Sequence, residues 1–126
     1  MDKIEKAKNY LERYAYARLK IIVLDAGIND KCNMIKLIGN VGDIAKQLNE
    51  EIAIDKQAIK RWEQLQSEVI IFIDRLPLDK SLKHLLKLKY IQNKMFKEIA
   101  SELNYSYDYL VRRLHKKALT IVAENL

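Results

Sequence analysis

The stretch LPLDKSLKHLLKLKYIQNKMFKEIASELNYSYDYLVRRLHKKAL, residues 76–119, decides how the chain folds. Its apolar residues recur every three or four positions, and the pattern is interrupted at Pro77 and again at residues 104–106. This spacing predicts a leucine-rich helix, a second helix, a tight turn and a third, basic helix. The preceding residues must then support these three helices or provide them with a partner.

The composition of the whole chain predicts an all-α protein. Its 126 residues include only three glycines and one proline, and apolar residues follow helical rather than alternating spacing. The longest purely apolar run, residues 69–73, is far shorter than the roughly 20 residues that a membrane-spanning helix needs. Residues 1–10 carry mixed charge and no signal-peptide pattern. We therefore expect a soluble, cytoplasmic protein that does not bind membranes.

Residues 2–26 form an amphipathic pattern that predicts the first helix, with Gly27 as its terminating residue. Beyond it, Asp30 is placed to cap a short helix that ends at Leu37. Gly39 and Gly42 then predict a flexible joint. The predicted apolar stripe of the first helix consists of Ile4, Ala7, Leu11, Tyr14, Ala15, Ile21, Ile22 and Leu24.

Residues 43–76 predict one long helix with a coiled-coil-like seam. Its apolar positions, on average about 3.5 residues apart, are Ile44, Leu48, Ile52, Ile59, Trp62, Leu65, Val69, Phe72 or Ile73, and Leu76. A helix of this length extends about 50 Å at 1.5 Å per residue, too far to bury the seam against a small globule. We expect it to pair with the first helix as an antiparallel hairpin, or as a dimer of such hairpins. Residues 1–76 are thus predicted to serve dimerisation or partner binding.

Pro77 should end the long helix near Leu76, because its ring lacks an amide donor and disfavours helix in the preceding residue. Asp79 can cap the next helix. We therefore predict a second domain at residues 77–126. The apolar residues of its first helix are Leu82, Leu85, Leu86, Leu88 and Ile91.

The second and third helices of this domain predict a helix-turn-helix. The second begins near Met95 or Phe96 and ends at Leu103, and its small Ala100 allows the third helix to cross closely. The turn occupies residues 104–106, where Ser106 can cap the third helix and the carboxylate of Asp108 suits the positive helix end. The inward residues of the second helix are Phe96, Ile99, Ala100 and Leu103.

A helical wheel divides the third helix, residues 106–124, into an apolar and a basic face. The predicted inner face contains Tyr107, Leu110, Val111, Leu114, Ala118, Ile121 and Val122. The predicted outer face contains Tyr109, Arg112, Arg113, Lys116 and Thr120, while His115 falls on the flank as a surface residue. Arginine can bind guanine in the major groove, and lysine, tyrosine and threonine can contact phosphates. The outer face together with Ser106 is therefore predicted to bind double-stranded DNA.

The charge distribution favours the same interpretation. Residues 77–126 contain ten Lys or Arg against five Asp or Glu, whereas residues 1–76 contain thirteen against twelve. A localised cationic excess is typical of proteins that neutralise phosphates.

The chain carries no pattern of a catalytic or metal site. Cys32 is the single cysteine, far in sequence from His84 and His115, and no phosphate-binding glycine loop is present. Adjacent Glu50 and Glu51 point in different directions on a helix and do not form a carboxylate pair. We expect neither enzymatic activity nor a cofactor.

The same stretch resembles region four of bacterial sigma factors over about 45 residues. The matching residues are Leu76 and Pro77, Tyr90 and Ile91, Glu98-Ile99-Ala100, Leu103, Ser106, Leu110 and Arg113-Leu114-His115. In that family the module reads the promoter element near minus 35 and contacts the polymerase flap. Nothing upstream resembles the promoter-melting region two, so the chain is more similar to short phage and prophage regulators of Gram-positive bacteria, of the ArpU and RinA type.

One position departs from that resemblance. Met95 stands where such sequences often carry a capping Ser or Thr, and Asn93 is the candidate to compensate.

Three functions remain open at this stage. The first is a dimeric, sequence-specific transcription regulator of phage or mobile-element genes. The second is a small DNA-packaging subunit that assembles into a ring through its helical half. The third is an adaptor that binds RNA polymerase or a sigma factor without binding DNA.

Overall fold

A computed structural model of the chain describes residues 2–126. It confirms the predicted all-α fold, with a long helical hairpin followed by a helix-turn-helix. The helices are α1 (Lys3–Ile38), α2 (Asp43–Arg75), α3 (Lys80–Leu86), α4 (Phe96–Leu103), α5 (Tyr107–Tyr109) and α6 (His115–Glu124). Two π-helical turns, Lys87–Ile91 and Leu110–Leu114, extend α3 and join α5 to α6. We refer to residues 107–124, which are α5, the second π-helical turn and α6, as the C-terminal segment.

The helix α1 extends well past the predicted end at residue 26. Gly27 lies inside it without a left-handed backbone, and Asp30 begins no separate helix, so both predictions were wrong. The physical reason is that one interior glycine costs a helix only about 1 kcal/mol relative to alanine. The residues after Gly27 still contribute a half-buried stripe, at Ile28, Lys31, Cys32 and Ile35.

The turn between α1 and α2 contains the two glycines that adopt a left-handed backbone, as the joint required. Gly39 follows the last residue of α1 with φ of 85°, and Gly42 precedes α2 with φ of 96°. Across this turn the two helices run antiparallel. The Nζ of Lys31 donates to Oδ2 of Asp55 at 2.7 Å, while the rings of Tyr16 and Trp62 pack edge to face.

The seam of α2 follows a heptad pattern more strictly than predicted. One set of buried or half-buried positions alternates at three and four residues, and it comprises Ala45, Leu48, Ile52, Asp55, Ile59, Trp62, Gln66, Val69, Ile73 and, just after the helix, Leu76. Half-buried neighbours of this set are Glu51, Ala58, Leu65, Ile70 and Phe72. The predicted seam residue Ile44 is exposed, as is Ile22 in the predicted stripe of α1. Both are one position away from the buried stripe of their helix, and Ala45 and Ile21 lie on it instead. Residues Asp55 and Gln66 are polar positions that an apolar pattern cannot reveal.

The chain forms two compact units, and their bounds differ from the predicted boundary at Leu76. The terminal unit comprises Met1–Ala15 and Ser67–Leu126, and the hairpin unit comprises Tyr16–Gln66. In the terminal unit the first turns of α1 contribute Ala7 and Leu11 to the core. The core residues that α2 contributes there are Val69, Ile73 and Leu76. The helix-turn-helix thus packs in one unit with the N-terminal part of α1 and the C-terminal part of α2.

The end of α2 and the cap of α3 agree with the sequence prediction. The helix α2 ends at Arg75, just before Pro77, and the carboxylate of Asp79 accepts from the backbone amide of Leu82 at 2.9 Å. At the start of α4 the cap differs from the expectation. Asn93 has a left-handed backbone and does not cap α4; the carboxylate of Glu98 accepts from the amide of Met95 at 3.2 Å.

Candidate nucleic-acid interface

The turn between α4 and the C-terminal segment has the geometry of a helix-turn-helix. Asn104 ends α4 in a left-handed conformation, and the amide of Tyr105 donates to the carbonyl of Ala100 at 2.9 Å. Ser106 then caps the next helix, because its Oγ accepts from the amide of Tyr109 at 3.2 Å. The small Ala100 is buried, as predicted for the closest approach of the two helices. Local chemistry therefore sets both where the C-terminal segment begins and its direction.

All of the predicted contact residues lie on solvent-exposed positions of this part of the chain. They are Ser106, Tyr109, Arg112, Arg113, Lys116 and Thr120, and we call the last five the outer face. On the opposite side Leu110, Ala118, Leu119 and Val122 are fully buried. The structure thus brings the predicted residues together on one side of the helix, with an apolar anchor behind them.

Contacts within the helix orient two outer-face side chains. The Nε of Arg112 lies 3.8 Å from Oδ1 of Asp108, and both side chains are about three-quarters exposed to solvent. Such an exposed pair is weak and easily exchanged for another anion. The hydroxyl of Thr120 donates to the carbonyl of Lys116 at 2.9 Å, so only its oxygen lone pairs remain to meet a ligand.

Two further side chains of the C-terminal segment are exposed to solvent, although sequence reasoning did not count them among the exposed contact residues. Tyr107 was predicted to face inward but is 48% exposed, so that prediction was wrong. It stands in the first turn, where the neighbouring α4 does not cover it. Lys117 is exposed beside Lys116, and its signal in the sequence was the pair of adjacent lysines. The rings of Tyr105 and Tyr109 lie 5.7 Å apart and add an aromatic edge at the turn.

The imidazole of His115 does not lie on the surface of the helix as predicted; it is 6% exposed. Its Nε2 forms a 2.7 Å hydrogen bond with the hydroxyl of Tyr90, and its ring packs edge to face with that of Phe96. The cause of the error is the π-helical turn Leu110–Leu114, where the buried positions step five residues from Leu110 to His115. A wheel of 3.6 residues per turn cannot register that step.

The buried pair fixes the C-terminal segment against the two preceding helical elements. Burial, with smaller contributions from the nearby charges of Lys8 and Lys89, lowers the pKa of His115 to about 4. Burial also raises the pKa of the Tyr90 phenol above its usual value, with a smaller contribution from Glu12. Both groups are therefore uncharged at neutral pH, when the hydrogen bond between them anchors the inner side of the segment that carries the outer face.

The geometry thus defines an all-α protein with a helical hairpin and a helix-turn-helix that exposes a cationic helix face. No protein-family model, curated protein or solved structure matches this chain. Among the described residues, no helix combines the length and the apolar character needed to cross a membrane.

Proposed function

We propose that the chain is a sequence-specific DNA-binding transcription regulator that acts as a dimer in the cytoplasm on phage or mobile-element genes. The observation that carries the proposal is the capped C-terminal segment, which has Arg112, Arg113 and Lys116 exposed on one face and a fully buried apolar face opposite. The resemblance of residues 76–119 to sigma region four supports it and adds RNA polymerase as a candidate partner. The protein then has no catalytic role and needs no cofactor.

In this proposal the segment lies in the major groove with its outer face toward the bases. Arg112 and Arg113 contact base edges, since a guanidinium can donate two hydrogen bonds to guanine. Lys116, Tyr109 and Thr120 hold the register on phosphates, and Ser106 sets the entry angle of the helix. The weak Asp108 contact releases Arg112 to the DNA at little cost.

The test begins with selection of bound fragments from random DNA at about 0.1 M salt, followed by titration of the selected site. The Arg112→Ala and Arg113→Ala double variant should bind it at least about 30-fold more weakly, because each base-reading arginine contributes roughly 1 to 3 kcal/mol. Arg61→Ala is the matched control, since Arg61 is an exposed arginine of α2 in the hairpin unit. Unchanged affinity in the double variant would show that the assignment of the base-reading residues is wrong.

A further inference from the structure

The helix α1 carries a second apolar stripe, largely opposite the one that packs on α2. Its first member, Tyr16, lies at the edge of the stripe and also contacts Trp62 of α2. Within the hairpin unit, the buried or half-buried side chains of α1 include Ala17, Ile21, Leu24, Ile28 and Ile35. At 100° per residue, the opposite side of the helix carries a different set of residues. These residues, which we call the outer stripe, are Tyr16, Leu19, Val23, Ala26, Asp30, Met34 and Leu37.

The outer stripe is exposed and has the periodicity of a packing seam. Leu19 is 61% exposed, Val23 68% and Leu37 87%. Its members follow one another at three or four residues, as the a and d positions of a coiled coil do, with Asp30 as a polar member. A helix that packs against a partner on just one side usually carries polar residues on its opposite face. Because α1 is apolar on both sides, it has the composition of a helix with a second packing partner.

We propose that a second copy of this chain covers the outer stripe, with the two α1 helices antiparallel about a two-fold axis near Ala26 and Gly27. The two hairpin units then meet through their α1 helices. The inference rests on the dimer of the proposed function and assigns its surface.

The order of residues in the outer stripe is self-complementary, as a two-fold interface requires. Antiparallel pairing about this axis sets Leu19 against Met34 and Tyr16 against Leu37 of the second copy. Ala26 meets Gly27, so the smallest residues lie where the helices approach most closely. Large side chains flank this centre on both sides.

Charge favours the same pairing. Asp30 falls opposite Val23 of the second copy, one helical turn from its Lys20, so that the carboxylate and the ammonium can pair across the interface. The hairpin unit as a whole contains eight Lys or Arg and seven Asp or Glu. Two such units therefore approach each other with little net repulsion.

The exposed area is of the size that a stable dimer needs. Five large members of the outer stripe, with Ile22 and Ile38 at its edges, are each about half exposed or more. Together they present roughly 700 Å² per copy, near the ~800 Å² that each partner buries in a stable interface of standard size.

The first test is the molar mass of the full chain in solution, by light scattering and sedimentation equilibrium at micromolar concentration. We expect a dimer for the wild type and for Ile54→Glu, whose side chain is 65% exposed on α2 outside the stripe. Val23→Glu should weaken the dimer about 100-fold or more, because it places a charge at the interface of both copies. A monomeric wild type, or equal dimerisation of Val23→Glu and Ile54→Glu, would overturn the inference.

The second test is disulfide crosslinking in a Cys32→Ser background, which removes the single native thiol. Ala26→Cys should crosslink to itself, and Tyr16→Cys should crosslink to Leu37→Cys when the two variants are mixed. Crosslinking of Leu37→Cys to itself in preference to the mixture would indicate parallel helices and contradict the proposed axis.

The experiments can refute either of the two proposals without refuting the other. A dimer of the expected crosslinking pattern that binds no selected DNA would refute the proposed function and leave the interface standing. A chain that binds its selected site as a monomer at all concentrations would refute the interface and leave the DNA-binding assignment intact.

Discussion

At the scale of single residues, the burial of His115 makes the stability of the protein depend on pH. Its neutral imidazole is packed between Tyr90 and Phe96, and folding holds its pKa near 4, below the ordinary value of 6.5. The unfolded chain therefore binds more protons than the folded chain between these two pH values. The stabilising contribution is fully present above pH 6.5 and is lost as the pH falls toward 4.

We expect the free energy of unfolding of the wild type to decrease between pH 7 and pH 4, by up to about 3 kcal/mol from this residue. His115→Gln keeps a hydrogen-bonding group near the Tyr90 hydroxyl but cannot be protonated in this range, so its stability should depend less on pH. Urea unfolding of both proteins across the range measures the difference. Parallel pH dependences would show that His115 titrates freely in the folded protein.

The sequence predicts solvent exposure for some residues of the C-terminal segment and not for others. Arg112, Arg113 and Lys116 could be assigned from the sequence, because charged side chains on a helix that is apolar on its other side face solvent. The exposure of Tyr107 could not be predicted in this way. An aromatic residue on the inner face of a helix is buried only if a neighbouring helix covers it. Exposure at a helix end depends on that neighbour rather than on periodicity.

At the scale of elements, the turn between α1 and α2 depends on backbone conformation rather than on packing. No atom lies within 4 Å of the position that a Cβ at Gly39 would occupy, yet φ there is 85°. Glycine is therefore favoured at this position by the left-handed backbone conformation, which costs L-amino acids about 1 to 2 kcal/mol.

Gly39→Val should accordingly destabilise the protein by roughly 1 to 2 kcal/mol, because a β-branched residue is strained at positive φ. Gly39→Asn should lose clearly less, because asparagine tolerates this region. Urea unfolding at one protein concentration compares them. Equal losses for the two variants would contradict a conformational origin and indicate a contact of the side chain instead.

The π-helical turns are the elements that sequence periodicity missed. In Lys87–Ile91 and Leu110–Leu114 the register slips, so that Tyr90 and His115 both turn into the core and meet. Formation of these turns requires the partner helices to be in place, because the wider turn is unfavourable in an isolated helix. Local propensity favours α-helix there, and tertiary contact overrides it.

At the scale of the whole molecule, the positive charge is concentrated in one unit. The terminal unit contains fifteen Lys or Arg against ten Asp or Glu, and the hairpin unit is nearly balanced. For the proposed regulator, this distribution favours phosphate contacts by the unit that holds the helix-turn-helix.

DNA affinity should therefore fall steeply with salt, with a logarithmic slope of about −0.9 for each phosphate neutralised. Lys116→Ala should reduce the magnitude of that slope by about 1 and weaken all sequences alike. Lys60→Ala, at an exposed position of α2 in the hairpin unit, should leave the slope unchanged. Titrations at several salt concentrations measure both. A slope that is the same for all three proteins would remove Lys116 from the phosphate contacts.

By itself, the sequence determined the helical class, the antiparallel hairpin, the breaks at Pro77 and residues 104–106, and the caps Asp79 and Ser106. These features depend on short-range chemistry, namely apolar periodicity, missing amide donors and side-chain caps. Only the tertiary structure decided that α1 runs through Gly27, that His115 is buried, and that Asp55 lies in the hairpin seam against Lys31. Each of these depends on a distant partner that compensates a local cost: a glycine in a helix, a slipped helical register, or a charge partly shielded from water.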